Sequence, residues 1–214
     1  MLVGDRMTKR PITISEDDSI DHGLDLMRSE KVRRLPVVNR HGKLVGIVSE
    51  KDLLYASPSP ATSLSIYEIP YLLSKIKMRD LMTKEVITVT EDTPLEEAAR
   101  IMADRKIGGL PVMRGDVVVG IITESDLFKM FLELLGAREK GTRLTVLAPY
   151  FKGSLAQISS AITERGGLIL ALNTFLGEDP TNWGCHLKVT DLTKDELLEV
   201  VKPLVVEIVD VREV

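Results

Sequence analysis

Met7-Thr-Lys-Arg-Pro-Ile-Thr-Ile-Ser-Glu-Asp17 recurs in this chain as Met82-Thr-Lys-Glu-Val-Ile-Thr-Val-Thr-Glu-Asp92, an offset of 75 residues. Two further segments recur in the same order. Lys31-Val-Arg-Arg-Leu-Pro-Val37 returns as Lys106-Ile-Gly-Gly-Leu-Pro-Val112, and Gly46-Ile-Val-Ser-Glu-Lys-Asp-Leu53 as Gly120-Ile-Ile-Thr-Glu-Ser-Asp-Leu127. The offset drops by one before the last pair, a single deletion of the kind a surface turn tolerates. Three matched segments in order make a tandem repeat.

Both copies predict the same local structure. Ile12-Thr13-Ile14 and Ile87-Thr88-Val89 alternate as short strands. In the second copy Thr93-Pro94-Leu95-Glu96 reads as an N-cap, a first-turn proline and a capping-box glutamate. The helix it opens carries Leu95, Ala98, Ala99 and Met102 on one face; Ile20, Gly23, Leu24 and Met27 match them in the first copy. Leu35 to Val38 and Leu44 to Val48 form a hairpin around His41-Gly42, with a twin at Leu110 to Met113 and Val117 to Ile122. A closing helix starts near Asp52 or Asp126. Each unit is therefore β-α-β-β-α, with a sheet face that one copy alone cannot cover and two copies together can. Ala56 to Ala61 is a turn-rich break, and Leu64 to Ile76 reads as partly helical.

The composition sets outer limits. With 214 residues and 44% hydrophobic content the chain can bury two cores, and with 4% aromatics those cores rest on aliphatic side chains. Lys and Arg number 28 against 32 Asp and Glu, a net charge of −4 that argues against a nucleic-acid partner. Cys185 is the only cysteine, so no internal disulfide or Cys-rich zinc site can form, which fits a reducing, cytoplasmic setting. No apolar run reaches the roughly 20 residues of a spanning helix, and the N-terminus turns polar too early for a secretory signal. No membrane partner is expected.

The doubled Gly-φ-φ-Ser/Thr-x-x-Asp-Leu ending (φ apolar) and the doubled Leu-Pro-Val strand resemble the cystathionine-β-synthase (CBS) domain in its tandem form, the Bateman module. The resemblance covers roughly residues 1 to 135. It implies a pseudo-symmetric pair whose clefts take an adenine nucleotide or adenosyl compound, of the AMP, ADP, ATP or S-adenosylmethionine type, as a regulatory ligand and not as a required cofactor. It further implies that Asp52 and Asp126 accept hydrogen bonds from a ribose diol, that Ser49 and Thr123 offer hydroxyls, and that Thr13 and Thr88 line the adenine pocket. Pro36 and Pro111 belong to the motif strands. Helix capping is the competing account of the Ser/Thr–Asp pairs. Arg33-Arg34 in one copy and Gly108-Gly109 in the other suggest phosphate contact and close backbone approach respectively, and hence unequal clefts; a solvated pair and a plain turn are the alternatives.

The pattern changes from Thr142. Strands at Leu144 to Ala148, Leu168 to Phe175, Cys185 to Val189 and Val205 to Val211 alternate with two helices. The first helix carries Leu155, Ile158 and Ile162 and ends at Gly166-Gly167; the second opens on a Thr193–Glu196 capping box. A turn from Gly177 to Asn182 joins the middle strands. The order βαββαβ predicts a ferredoxin-like sandwich. Its size and order, with Gly153-Ser-Leu-Ala-Gln-Ile entering the first helix, resemble the ACT domain, a regulatory module. That resemblance implies a ligand loop at Lys152, Gly153 and Ser154, an amino acid as a possible ligand, and a homodimer. The order CBS pair then ACT resembles acetoin-utilisation-type accessory proteins. The expected fold class is α+β: repeat 1 at 1–55, a linker at 56–77, repeat 2 at 78–135, a linker at 136–142 and the ACT-like domain at 143–214.

No constellation for catalysis emerges, and a non-enzymatic protein is expected. His22, His41 and His186 lie in unrelated elements, so neither a metal site nor a triad is expected. Cys185 and His186 are neighbours on a strand and face opposite ways, which suggests a buried thiol and a surface imidazole. Gly136 to Thr142 begins like a phosphate loop but lacks the Lys-Ser/Thr ending and follows a helix. Glu16-Asp17-Asp18 suits a helix start. The alternative to a nucleotide sensor is an oligomerisation scaffold, or an accessory protein of acetoin-type catabolism, with no nucleotide response.

Overall fold

The computed structural model describes residues 1–56, 68–177 and 181–214. The turn expected from residue 57, the start of the segment from Leu64, and the middle of the Gly177 to Asn182 turn lie outside them. The chain divides into two compact units, Met1–Leu127 and Phe128–Val214.

The first unit holds both repeats. Repeat 1 contains α1 (Val3–Arg6), β1 (Thr8–Lys9), β2 (Ile14–Ser15), α2 (Ile20–Ser29), β3 (Arg34–Val38), β4 (Leu44–Ser49) and α3 (Glu50–Tyr55), followed by α4 (Glu68–Lys75). Repeat 2 contains α5 (Met78–Leu81), β5 (Val89–Thr90), α6 (Leu95–Arg105), β6 (Gly109–Arg114), β7 (Val117–Thr123) and α7 (Glu124–Leu134), whose last seven residues belong to the second unit. The hairpins form as expected, with Gly42 and Gly115 at positive φ in their turns. On α2, Ile20, Gly23 and Met27 are buried, and on α6, Leu95, Ala98 and Met102. Ser19 caps α2 by accepting from the His22 N–H at 3.3 Å. The capping box expected at Thr93 does not form: α6 begins at Leu95 with Pro94 in the cap position and no side-chain cap. The Thr93 hydroxyl instead accepts from the Thr90 N–H at 3.1 Å, closing the turn after β5.

The strands expected over Ile12–Ile14 and Ile87–Val89 shrink to two residues each and start later. Ile14 pairs in parallel with Val37, and Val89 with Val112. What precedes them crosses over. Thr8 and Lys9 of repeat 1 pair antiparallel with Ile121 and Gly120 of repeat 2, giving a sheet of order β1-β7-β6-β5. Thr83 of repeat 2 reciprocates by bridging to Ile47 in β4, beside the sheet β2-β3-β4. The short helices cross as well: Val3 and Gly4 donate to the carbonyls of Thr93 and Glu91, and Met78 and Arg79 to those of Asp18 and Glu16. Each repeat thus completes its partner. The repeat 1 core gathers Ile14, Ile20, Met27, Leu35, Val37, Val48 and Leu53 with Leu73 and Met78 from the following segments.

The second unit contains β8 (Thr142–Pro149), α8 (Ser154–Glu164), β9 (Leu168–Leu176), β10 (Asn182–Thr190), α9 (Lys194–Val201), a 3₁₀ turn at Lys202–Leu204 and β11 (Glu207–Glu213). Its antiparallel sheet runs β11-β8-β10-β9, so the βαββαβ order closes into a ferredoxin-like sandwich. Leu144, Val146, Cys185, Leu187 and Val189 meet Ile158 and Ile162 of α8 and Leu197 and Val201 of α9 in one core. The Thr193–Glu196 box forms, with the Thr193 N–H and hydroxyl donating to Glu196 Oε2 at 2.9 and 2.7 Å. One expectation fails here. His186 is not a surface imidazole but only 8% exposed, because the chain leaving α7 runs along that face of the sheet. Asn173 Nδ2 donates to the Leu134 carbonyl at 3.0 Å, and Gly136 lies against Lys188 and Ala171.

Candidate ligand-binding site

The crossing of the repeats opens a cleft in the first unit, with a cavity of about 470 Å³. Repeat 1 supplies Arg33 and Arg34 at the start of β3, and Ser49 to Asp52 at the β4–α3 junction. Repeat 2 supplies Ile107, Gly108 and Gly109 before β6, Glu124 at the start of α7, and the crossing segment from Thr83 to Ile87. Ile47, Val86, Ile87 and Ile107 give it apolar walls, while four basic and four acidic side chains border it.

The strand-to-helix junction explains how Asp52 is held. Asp52 is the third residue of α3, and its Oδ2 accepts from the Ser49 N–H at 2.8 Å and the Ser49 hydroxyl at 2.7 Å. The Asp52 N–H returns to Ser49 Oγ at 3.3 Å, completing a capping box. Both lone-pair directions of Oδ2 are therefore used. Oδ1 makes no hydrogen bond or ion pair among the described residues. A carboxylate oxygen accepts two hydrogen bonds, so this arrangement leaves a two-acceptor edge on a rigid mount. Repeat 2 copies the junction: the Thr123 N–H and hydroxyl donate to Asp126 Oδ2 at 3.0 and 2.7 Å.

Of the residues singled out in the sequence, Arg33, Arg34, Ser49, Asp52, Gly108 and Gly109 border this one cavity. Thr123 and Asp126 do not, since they sit at the pseudo-symmetric junction. Pro36 and Pro111 are buried within their strands, opposite Ile47 and Ile121. Thr13 and Thr88 are exposed, each one residue ahead of its shortened strand, and neither borders the cavity. Thr83, Glu85, Val86 and Ile87 were not singled out, because only the crossing of repeat 2 onto β4 brings them here.

In the second unit Lys152 borders a separate cavity of about 470 Å³ with Tyr150, Phe151 and Trp183. Gly153 takes positive φ at the start of α8, and the buried Ser154 accepts from Trp183 Nε1 at 3.2 Å. Among the described residues no group of three or more His, Cys, Asp or Glu is placed to hold a metal ion, and no helix is long and apolar enough to cross a membrane.

Solved structures place this architecture among known proteins. A candidate acetoin utilization protein (AcuB) of Vibrio cholerae is 34% identical, with a TM-score of 0.53 over 65% of this chain and 96% of that one. The CBS domain pair of protein MJ0100, solved with 5′-methylthioadenosine and S-adenosyl-L-methionine, is 31% identical, with a TM-score of 0.52 over 65% and 98%. CBSX2, solved with AMP, is 34% identical, with a TM-score of 0.50 over 61% and 96%. The CBS-domain profile matches residues 3–59 and 78–133, which together make up more than half of the chain. The chain belongs to the CBS-domain family and carries the domain twice, as a Bateman module.

Proposed function

We propose that the chain is a non-catalytic regulatory protein that binds an adenosine-containing ligand, of the AMP or S-adenosylmethionine type, in the cleft bordered by Asp52. The reading rests above all on Asp52: one carboxylate oxygen is locked into the α3 cap and the other is left to accept from a vicinal diol. The cavity falls within the range of small-ligand sites. Its aliphatic walls suit the faces of a purine, and Arg33 and Arg34 suit a phosphate. The MJ0100 and CBSX2 structures add support, as their bound molecules are all adenosine derivatives. Thr123 and Asp126 would serve a second, unequal site without an arginine pair. A ligand that prefers one arrangement of the repeats would shift their equilibrium, and so regulate.

The βαββαβ topology of the second unit supports an ACT-type module that dimerises or takes a small ligand, such as an amino acid, near Lys152, Gly153 and Ser154. The competing reading is an oligomerisation scaffold or an accessory protein of acetoin-type catabolism. It draws on the fact that, among the described residues, every side-chain hydrogen bond of Asp52 serves the helix cap.

Calorimetric titration with AMP and adenosine separates the two readings. Asp52→Asn keeps an oxygen for the cap and replaces the other by a donor amide, so both ligands should weaken about 10- to 100-fold, the weight of charge-assisted hydrogen bonds. Arg34→Ala should weaken AMP and spare adenosine. Unchanged binding by Asp52→Asn would end the ribose assignment.

A further inference from the structure

The guanidinium of Arg34 does not stand free in the cleft. Its Nη2 lies 3.9 Å from Oε2 of Glu124, the first residue of α7, so a cation from repeat 1 meets an anion from repeat 2. It also rests against Gly108, where a Cβ would collide with both Nη2 of Arg34 and Oε2 of Glu124. Arg33 crosses the same way, with its Nη2 donating to Ser125 Oγ at 3.2 Å. The pseudo-symmetric position of Glu124 is Glu50, which borders the same cavity and makes no ion pair among the described residues. The cause lies in the sequence, since Gly109 stands where repeat 1 has Arg34. Among the described residues, therefore, only one of the two junction glutamates has a guanidinium to hold.

We propose that Glu124 is a built-in competitor for the ligand's phosphate, pairing with Arg34 until a phosphate displaces it and thereby setting the preference between phosphorylated and unphosphorylated adenosine ligands. The inference rests on the nucleotide reading above and adds a specificity-determining residue to it. At 3.9 Å the pair is a charge contact and not a bidentate fork, and both side chains reach solvent, so its strength is modest. A phosphate can offer Arg34 two parallel acceptors and displace the carboxylate. The displaced charge cannot go far. The Glu124 N–H donates to the Gly108 carbonyl at 3.2 Å, which keeps the residue at the rim of the cavity. Glu124 thus opposes a phosphate twice, first by holding its arginine and then by lying close to its charge. A nucleoside meets neither effect.

Calorimetric titration of the full chain with AMP and with adenosine, for the parent and Glu124→Gln, tests this. Removing the charge should tighten AMP about two- to fivefold, the scale of a solvent-exposed ion pair, and leave adenosine unchanged. The gain should shrink as salt is raised. Glu124→Ser, which removes both charge and reach, should behave like Glu124→Gln. Unchanged or weaker AMP binding in both variants, or adenosine tightening in step with AMP, overturns the proposal while the nucleotide reading stands. A parent chain that binds neither compound overturns both.

Discussion

The Ser49 hydroxyl does two things at once: it donates to Asp52 Oδ2 and accepts from the Asp52 N–H, so removing it affects both the helix cap and the aim of the carboxylate. Ser49→Ala should cost about 1 kcal/mol in urea denaturation, the usual price of a lost N-cap. It should also weaken AMP less than Asp52→Asn does, because the free oxygen survives. The reverse order of affinities would mean that the hydroxyl, and not Asp52, meets the ligand. His186 offers a test away from the cleft. Burial, with Arg143 and Lys188 nearby, holds its imidazole below the ordinary value of 6.5, while Asp210 pulls weakly the other way. Its ring shares a hydrogen bond with Thr145 at 3.2 Å. An unfolded chain takes up a proton near pH 6.5 that the folded chain resists, so stability is full above that pH and falls as the pH drops toward the folded value. His186→Gln should flatten the dependence of the urea midpoint on pH as the pH falls below about 6.5; an unchanged slope would assign it to other groups. The cavity-lining residues legible in the sequence were those fixed by local rules. Asp52 and Ser49 were readable because a strand-to-helix junction uses that pair twice, and Arg33-Arg34 because Gly108-Gly109 contrasts with it. The burial of His186 was not readable, since strand alternation says which face a residue takes and not what covers that face.

Helices with an apolar stripe and hairpins with a glycine turn were legible element by element. The exchange between the repeats was not. Thr8-Lys9 and Thr83 carry no mark that they pair with the other copy, because a repeat presents two chemically equal partners and sequence pattern cannot choose between them. The exchange has a physical signature in two glycines. A Cβ at Gly46 would collide with Met82, and one at Gly120 with Met7. At Gly46 the obstruction includes Met82 Cβ at 2.9 Å, which cannot swing away; at Gly120 the nearest atoms are the movable outer atoms of Met7. Gly46→Ala should therefore destabilise the first unit by about 1–3 kcal/mol, as overpacking does, and Gly120→Ala by less. Met82→Ala in the Gly46→Ala background should recover part of the loss, and a double-mutant cycle measures that coupling. Additive effects would show that Met82 does not pack on Gly46 in solution.

At the scale of the whole molecule, the proposed homodimer needs an interface. The sheet of the second unit ends in two edges, β11 and β9, and β9 leaves Leu168 and Leu176 54% and 95% exposed. An open, apolar edge favours strand addition. A two-fold pairing of β9 with its own copy, centred on Leu172, sets Leu168 of one chain opposite Leu176 of the other, and the reverse. A dimer with that geometry would be sensitive to charge in a defined way. Leu168→Lys with Leu176→Lys opposes like charges at both ends of the pairing and should reduce a mass near twice 23.7 kDa to that of a single chain in light scattering. Leu168→Lys with Leu176→Glu opposes unlike charges and should restore the dimer. The last helix of repeat 2 offers a rival surface, since Phe128 and Phe131 of α7 are also exposed. A dimer that survives both β9 variants but is lost in Phe131→Glu would move the interface to α7. Two lysines that dissociate it, with a glutamate that rescues it, would fix the interface at β9, because no change in bulk hydrophobicity distinguishes the two double variants.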